Sequence, residues 1–227
     1  MKRLLGILAV SAFVLPGVAR AQVRVLDFEN IPVPGGAFGP IGNWYNGGGG
    51  PNYGIDFSSN AYALCLNTLT LFCTNTSRGG LAPGSETRAL DFFEDPSTYM
   101  NSNHGFTTGF SFFYSDPFAS GATFTVYDGL GGTGNVLATL TLLPTPENDC
   151  PGYGAQYCPF AAAGVTFSGT AYSVVFGGRP DHVVFDDVTF GSPIPGNVVP
   201  EPASLVLLAT GLFGIGAIGI ARRFNIG

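Results

Sequence analysis

Lysine is nearly missing from this chain. Lys2 is its sole member, and between Gln22 and Pro200 the basic side chains are Arg24, Arg78, Arg88 and Arg179 against fourteen Asp and Glu. A segment this acidic repels phosphate backbones, which argues against a nucleic-acid partner and leaves room for cations. Histidine occurs twice, as His104 and His182, far apart and in no metal-binding spacing. Neither the H-E-x-x-H helix of zinc proteases nor the G-x-S-x-G elbow of hydrolases is present. No segment before residue 200 carries a helical hydrophobic period, so the crossover helices that parallel strands require are lacking and an α/β fold is disfavoured.

What the chain does carry is glycine, proline and aromatic rings: 34 Gly, 17 Pro and 20 Phe. Several stretches alternate with period two, the mark of half-buried strands. In "VRVLDFEN" Leu26 and Phe28 fall on one face and Asp27 and Glu29 on the other, and in "GFTTGFSFFYSD" Phe106, Thr108, Phe110, Phe112 and Tyr114 align. The pattern recurs in "ATFTVYDG", "NVLATLTLL", "GVTFSG", "YSVVFGG" and "HVVFDDVTFG". Short strands punctuated by Gly, Pro and Asn predict an all-β fold, a β-sandwich or jelly roll, over residues 22–192. "GLGGTG", residues 129–134, matches G-x-G-x-x-G formally, but a strand follows it where a dinucleotide site needs a helix, so it reads as a hairpin turn.

The ends carry export signals. Lys2 and Arg3 precede an apolar run from Leu4 to Val18 and small residues at Ala19 and Ala21, which predicts a signal peptide over 1–21 and a mature start at Gln22. In an exported chain, Cys65 with Cys73 and Cys150 with Cys158, each pair enclosing seven residues, read as two local disulfides, with the two crossed connectivities as alternatives; the spacing does not suit zinc ligation. Asn75-Thr76-Ser77 is a formal glycosylation sequon. Residues 193–199 form a proline-punctuated linker. From Ala203 to Ala221 the chain is apolar and uncharged, long enough as a transmembrane helix to span about 28 Å at 1.5 Å per residue. Arg222 and Arg223 would hold its far end on the cytoplasmic side.

Two groups of residues are candidates for chemistry. Glu29 and Asn30, beside Asp27 in "DFEN", and Asp186 and Asp187 in "FDDVTFG" would gather around a structural calcium ion if the first and last strands are neighbours; solvated strand faces are the alternative. Trp44, Tyr45 and Tyr53 flank the glycine-rich loop "NWYNGGGGPNYG" and could stack on sugar rings, with core packing the alternative. A glycan-cleaving enzyme would need two carboxylates facing one cleft, and sequence cannot set Asp91, Glu94 or Asp95 opposite anything. No catalytic residue is assigned.

Val199-Pro200-Glu201-Pro202, the apolar helix and Arg222-Arg223 together resemble the PEP-CTERM sorting signal of Gram-negative bacteria, over residues 200–224. The resemblance implies that Pro200, Glu201, Pro202, Arg222 and Arg223 are read by exosortase, a membrane transpeptidase, and that the tail sits transiently in the inner membrane before the protein reaches the cell surface or an exopolysaccharide or biofilm matrix. Openings like "LDFEN" and endings like "FDDVTFG" also resemble exported jelly rolls of the galactose-binding-like kind. That likeness implies a structural calcium near the joined termini and carbohydrate contact through loops at one end. The expectation is a non-catalytic carbohydrate-binding or structural matrix protein, with a glycan-active enzyme and a passive matrix component as alternatives.

Overall fold

The computed structural model describes residues 23–67, 73, 87–147, 156–157 and 159–196. The signal segment, the Asn75 sequon, the Cys150–Cys158 pair, the end of the linker and the sorting tail lie outside the described residues.

Twelve strands are described: β1 (Arg24–Leu26), β2 (Phe38–Pro40), β3 (Ile55–Phe57), β4 (Ala61–Cys65), β5 (Arg88–Phe92), β6 (Ser97–Phe106), β7 (Gly109–Ser115), β8 (Thr123–Tyr127), β9 (Val136–Thr141), β10 (Ala161–Thr166), β11 (Ala171–Gly177) and β12 (Val184–Phe190). Seven of them form one sheet, in the order β10-β7-β12-β5-β4-β2 with β1 also on β12, and five form a second, β3-β6-β11-β8-β9. Every strand pair is antiparallel. The chain is therefore the all-β sandwich that the alternation predicts.

Between the sheets lies an aromatic core. Alternation in β7 turns Phe110, Phe112 and Tyr114 inward to meet Phe124 of β8, Phe176 of β11 and Phe185 of β12. Phe112 is fully buried, with ring centroids at 4.9 Å from Phe124, 5.2 Å from Phe185 and 6.0 Å from Phe176. Each such ring contributes about 2–3 kcal/mol by leaving water.

One expectation about the strands is corrected. The aligned run from Phe106 to Tyr114 is two strands, because β6 ends at Phe106 in one sheet and β7 begins at Gly109 in the other. Thr108 makes the crossing with φ 75, a conformation unfavourable for a β-branched residue, and its hydroxyl donates to the Gly191 carbonyl at 2.7 Å. The hairpin at residues 129–134 is as expected: β8 and β9 pair across it, and the Asp128 carboxylate accepts hydrogen bonds from the backbone and side chain of Asn135.

The first and last described strands are neighbours, the condition set for gathering the carboxylates at the two ends of the domain. β1 pairs with β12 in the register Arg24↔Phe190, Val25↔Thr189, Leu26↔Val188. One edge of β12 therefore changes partner along its length, from β5 at Phe185↔Leu90 to β1 from Val188 onward. Asp187 occupies the changeover with φ 47, where the register against β7 also shifts, so the residue acts as a bulge.

Cys65, at the end of β4, is bonded to Cys73, the first of the two expected disulfides. Closing so short a loop restricts the unfolded chain by about 2.5 kcal/mol. Replacing both cysteines by serine should lower stability by about that amount, read from chemical denaturation under non-reducing conditions. An unchanged midpoint would show that the bridge is not a stabilising element.

Candidate functional site

The glycine-rich loop between β2 and β3 is itself folded. Asn46 and Asn52 form an antiparallel bridge, Tyr53 N–H donates to the Tyr45 carbonyl at 2.7 Å, and Gly48 N–H donates to the Asn43 carbonyl at 3.0 Å. Its glycines let the backbone lie flat on the indole of Trp44: a Cβ at Gly49 would come within 2.6 Å of Trp44 Cζ3, and one at Gly50 would strike the pyrrole edge. One side of the ring is thus covered by main chain, and Trp44 stays half-buried.

The three aromatic residues singled out from the sequence have different roles. Tyr45 is not displayed on the loop but is a core residue, 4 % exposed, packed edge-on against Phe28 at 6.0 Å. Its hydroxyl oxygen accepts the Phe28 N–H at 2.8 Å, which satisfies a donor left over where β1 ends and Phe28 takes φ 59. Burial pushes the Tyr45 phenol far above its ordinary value, with the Asp27 charge adding to the effect. Tyr53 stacks on Tyr45 at 6.1 Å with an interplanar angle of 11°, and the Arg24 guanidinium lies 4.6 Å from its ring centroid. Both tyrosines therefore build a wall. Trp44 and Tyr53 are both half-buried, whereas Tyr45 is buried.

That wall closes a cavity of about 120 Å³ lined by Trp44, Tyr45 and Tyr53, by Asp27 and Asn30, and by Val25 and Pro51. Residues that the sequence places in two separate candidate groups thus share one concave site, because β1 and the loop ahead of β3 lie at the same end of the sandwich. An indole edge and tyrosine rings offer apolar contact; the Asp27 carboxylate accepts hydrogen bonds, and the exposed Asn30 amide both donates and accepts. This pairing of ring surface and polar tips suits a polyhydroxylated ligand.

The remaining carboxylates divide. Glu29 closes the split between β1 and β5: its Oε1 accepts the backbone N–H groups of Thr87 at 2.7 Å and Arg88 at 3.1 Å, while its Oε2 accepts the Thr87 hydroxyl and lies 3.7 Å from Arg88 Nη1. Asp186 is 1 % exposed, with Oδ1 accepting the Asp187 N–H at 2.7 Å. Asp187 is pushed up to about 6, first by burial and then by the charges of Asp27 and Glu29. Three carboxylates therefore feel one another at the junction. Among the described residues, no three His, Cys, Asp or Glu side chains are arranged to hold a metal ion. Asp91 is fully buried in β5, whereas Glu94 and Asp95 sit exposed on the turn that follows, so these three do not face one cleft. His104 is exposed, and His182 packs edge-on against Phe118 at 5.2 Å.

A pH dependence follows from Asp187. Its folded value lies above the unfolded one, so between about pH 4 and pH 6 the folded chain binds the extra proton, and stability falls as pH rises through that window. Allowing for solvent screening, the loss at pH 7 is about 1–2 kcal/mol. Asp187→Asn, which also suits a positive φ, should raise stability at pH 7 by about that much and change it little at pH 3.5. Equal gains at both pH values would place the effect in packing instead of charge.

No family model matches the chain, and no curated protein matches it. Solved structures similar to it include a cleaved adhesin domain of Lys-gingipain, 15 % identical, covering 74 % of this chain and 98 % of that one with a TM-score of 0.42. A family 6 carbohydrate-binding module is 14 % identical over 74 % of this chain and 92 % of its own, TM-score 0.37. The carbohydrate-binding module of Cellvibrio mixtus lichenase 5A, solved with cellotriose, is 11 % identical over 61 % and 88 %, TM-score 0.35. Likenesses this distant assign neither ligand nor activity to this chain.

Proposed function

We propose that the protein is an exported, non-catalytic carbohydrate-binding component of an extracellular polysaccharide matrix. The observation that carries the binding reading is the cavity where Trp44, Tyr45 and Tyr53 meet Asp27 and Asn30. The delivery reading rests on sequence: the Pro200-Glu201-Pro202 motif, the apolar run and Arg222-Arg223 would engage exosortase while the tail is held in the inner membrane. Tail removal would then free the sandwich to the cell surface.

The test of the cavity is retention of the full chain on the producer's own exopolysaccharide. Trp44→Ala and Asn30→Ala should each weaken retention about tenfold, the loss of one well-placed contact of about 1.4 kcal/mol. Retention unchanged in both variants would remove this cavity as the binding site. Tyr45 is unsuitable for the test, because its replacement perturbs the core. For the tail, the mass of protein recovered from an exosortase-bearing host should lack the residues after the cut; an intact terminus on mature material would refute sorting.

Calcium at the β1–β12 junction is a second part of the proposal: the mutual repulsion of Asp187, Asp27 and Glu29 would be relieved by a cation, although among the described residues no three such side chains are already arranged to hold one. Of the four ligands expected from sequence, Glu29 is already engaged by Thr87 and Arg88, and Asn30 lines the cavity. Calcium should therefore raise the melting midpoint at pH 7 and have a smaller effect at pH 4.5, since an ion bound to the folded state alone must stabilise it. No shift between calcium and chelator at pH 7 would end this part of the reading.

A further inference from the structure

The three-residue strand β3 has the cavity described above at its start, beside Tyr53, and a second concavity at its end. This second basin, of about 370 Å³, is lined by Ser58, Ser59 and Asn60 from the β3–β4 turn and by Asp95, Ser97 and Tyr99 from the β5–β6 turn and the start of β6. Its polar groups are held in place by one another. Ser58 Oγ is 2.7 Å from Asn60 Oδ1 and 2.6 Å from Thr98 Oγ1, it accepts the Tyr99 N–H at 3.1 Å, and Asn60 Nδ2 donates to the Ser97 carbonyl at 2.8 Å. These bonds engage the Ser58 hydroxyl fully, whereas the Asn60 amide they orient keeps one N–H and meets a ligand without losing further rotamer freedom.

The basin adjoins an aromatic surface. Phe93 N–H donates to the Asn60 carbonyl, joining the two turns, and the Phe93 ring packs against Tyr62 at 5.1 Å and Phe38 at 5.0 Å. Phe38, on the edge strand β2, keeps 46 % of its surface exposed, unusual for a ring this size in a chain with so large a core. A fixed amide and a carboxylate beside partly exposed rings are the combination that sugars require, with C–H faces against rings and hydroxyls against polar tips.

The charges narrow the sugar class. Asp95 is the only charged residue in the lining, and the neighbouring Glu94 is also acidic and exposed. Among the described residues the lining carries no basic side chain to receive a carboxylate, sulfate or phosphate, so acidic sugars are disfavoured, while Asp95 accepts hydrogen bonds from neutral hydroxyls. We propose that the basin at the end of β3, with the Phe38–Tyr62–Phe93 surface beside it, is a second saccharide site, selective for neutral hexoses. Tyr53 and Ser58 are five positions apart, so their Cα atoms stand at most about 17 Å apart along an extended strand, close enough for one oligosaccharide chain to reach both sites. The second site stands on its own residues and does not require the first.

The experiment is calorimetric titration of the full chain with cellohexaose and with mannohexaose, using oligogalacturonate as the acidic control. Ser59→Arg, which fills the basin from an exposed turn position, and Asp95→Ala, also exposed, should each weaken binding of a neutral hexasaccharide at least tenfold with the melting midpoint unchanged. Trp44→Ala should leave this component in place. Neutral-hexasaccharide binding that is undiminished in both Ser59→Arg and Asp95→Ala, or that disappears entirely in Trp44→Ala, overturns the second site. Absence of binding to either neutral hexasaccharide does so too, and equal binding of oligogalacturonate overturns the neutral selectivity. If Ser59→Arg abolishes binding while Trp44→Ala has no effect on any sugar, the second site stands and the first cavity falls.

Discussion

Tyr45→Ala is expected to lower the unfolding free energy by about 4 kcal/mol, the cost of removing a buried aromatic ring and leaving its cavity. The ring is 4 % exposed and meets Phe28 on one side and Tyr53 on another, so the surrounding side chains have little freedom to collapse into the gap. Tyr45→Phe separates the two contributions. It keeps the ring and deletes the oxygen that accepts the Phe28 N–H, leaving a buried donor without that acceptor at a cost of about 1–2 kcal/mol. Chemical denaturation of the wild type and both variants checks the pair. If Tyr45→Phe were as stable as the wild type, the hydroxyl would have no structural duty and the cavity wall would need another explanation.

Glu29→Ala should cost about 3 kcal/mol. The side chain accepts two backbone N–H groups and one hydroxyl across the gap between β1 and β5, and pairs with a half-buried arginine. Its loss strands donors at the start of β5, each worth about 1 kcal/mol or more when left unmet. Glu29→Gln keeps one acceptor oxygen and should recover roughly half of that loss. The decisive comparison is with Asp187→Asn, which acts on the same junction with the opposite sign. If Glu29→Ala stabilised the protein at pH 7, repulsion would outweigh the clasp, and the residue would belong with the calcium reading after all.

The two-sheet arrangement around an aromatic core follows from features visible in the linear chain, whereas the seven-to-five division of strands does not. Period-two patterns in β7, β8 and β11 mark which side chains face inward, and the lack of helical periods leaves only a sheet-on-sheet arrangement, whereas β12 is buried along its whole length. Strands β2 and β3 are three residues each, too short for alternation to register, and Pro40 obscures the first of them. The acidic residues near both ends of the domain were legible, yet the pairing of β1 with β12 and the duty of each carboxylate were not. Glu29 and Asp27 look equivalent in "DFEN", and only the position of β5 makes the first a clasp and the second a cavity wall.

The same distinction runs through the aromatic loop. Local composition alone determined that residues 43–54 would be a glycine-rich excursion bearing rings, because glycines leave the backbone free and polar neighbours keep it at the surface. Tertiary packing decided that Tyr45 turns inward, Tyr53 is held between Tyr45 and Arg24, and Trp44 is backed by the Gly49–Gly50 main chain. The second basin was invisible in the sequence for a related reason: Ser58 and Asp95 are thirty-seven positions apart, and hydroxyls and carboxylates have no periodic signature. Alternating hydrophobicity is a local property of the backbone and can be read one strand at a time, whereas a concave site depends on which turns the sheet order brings together.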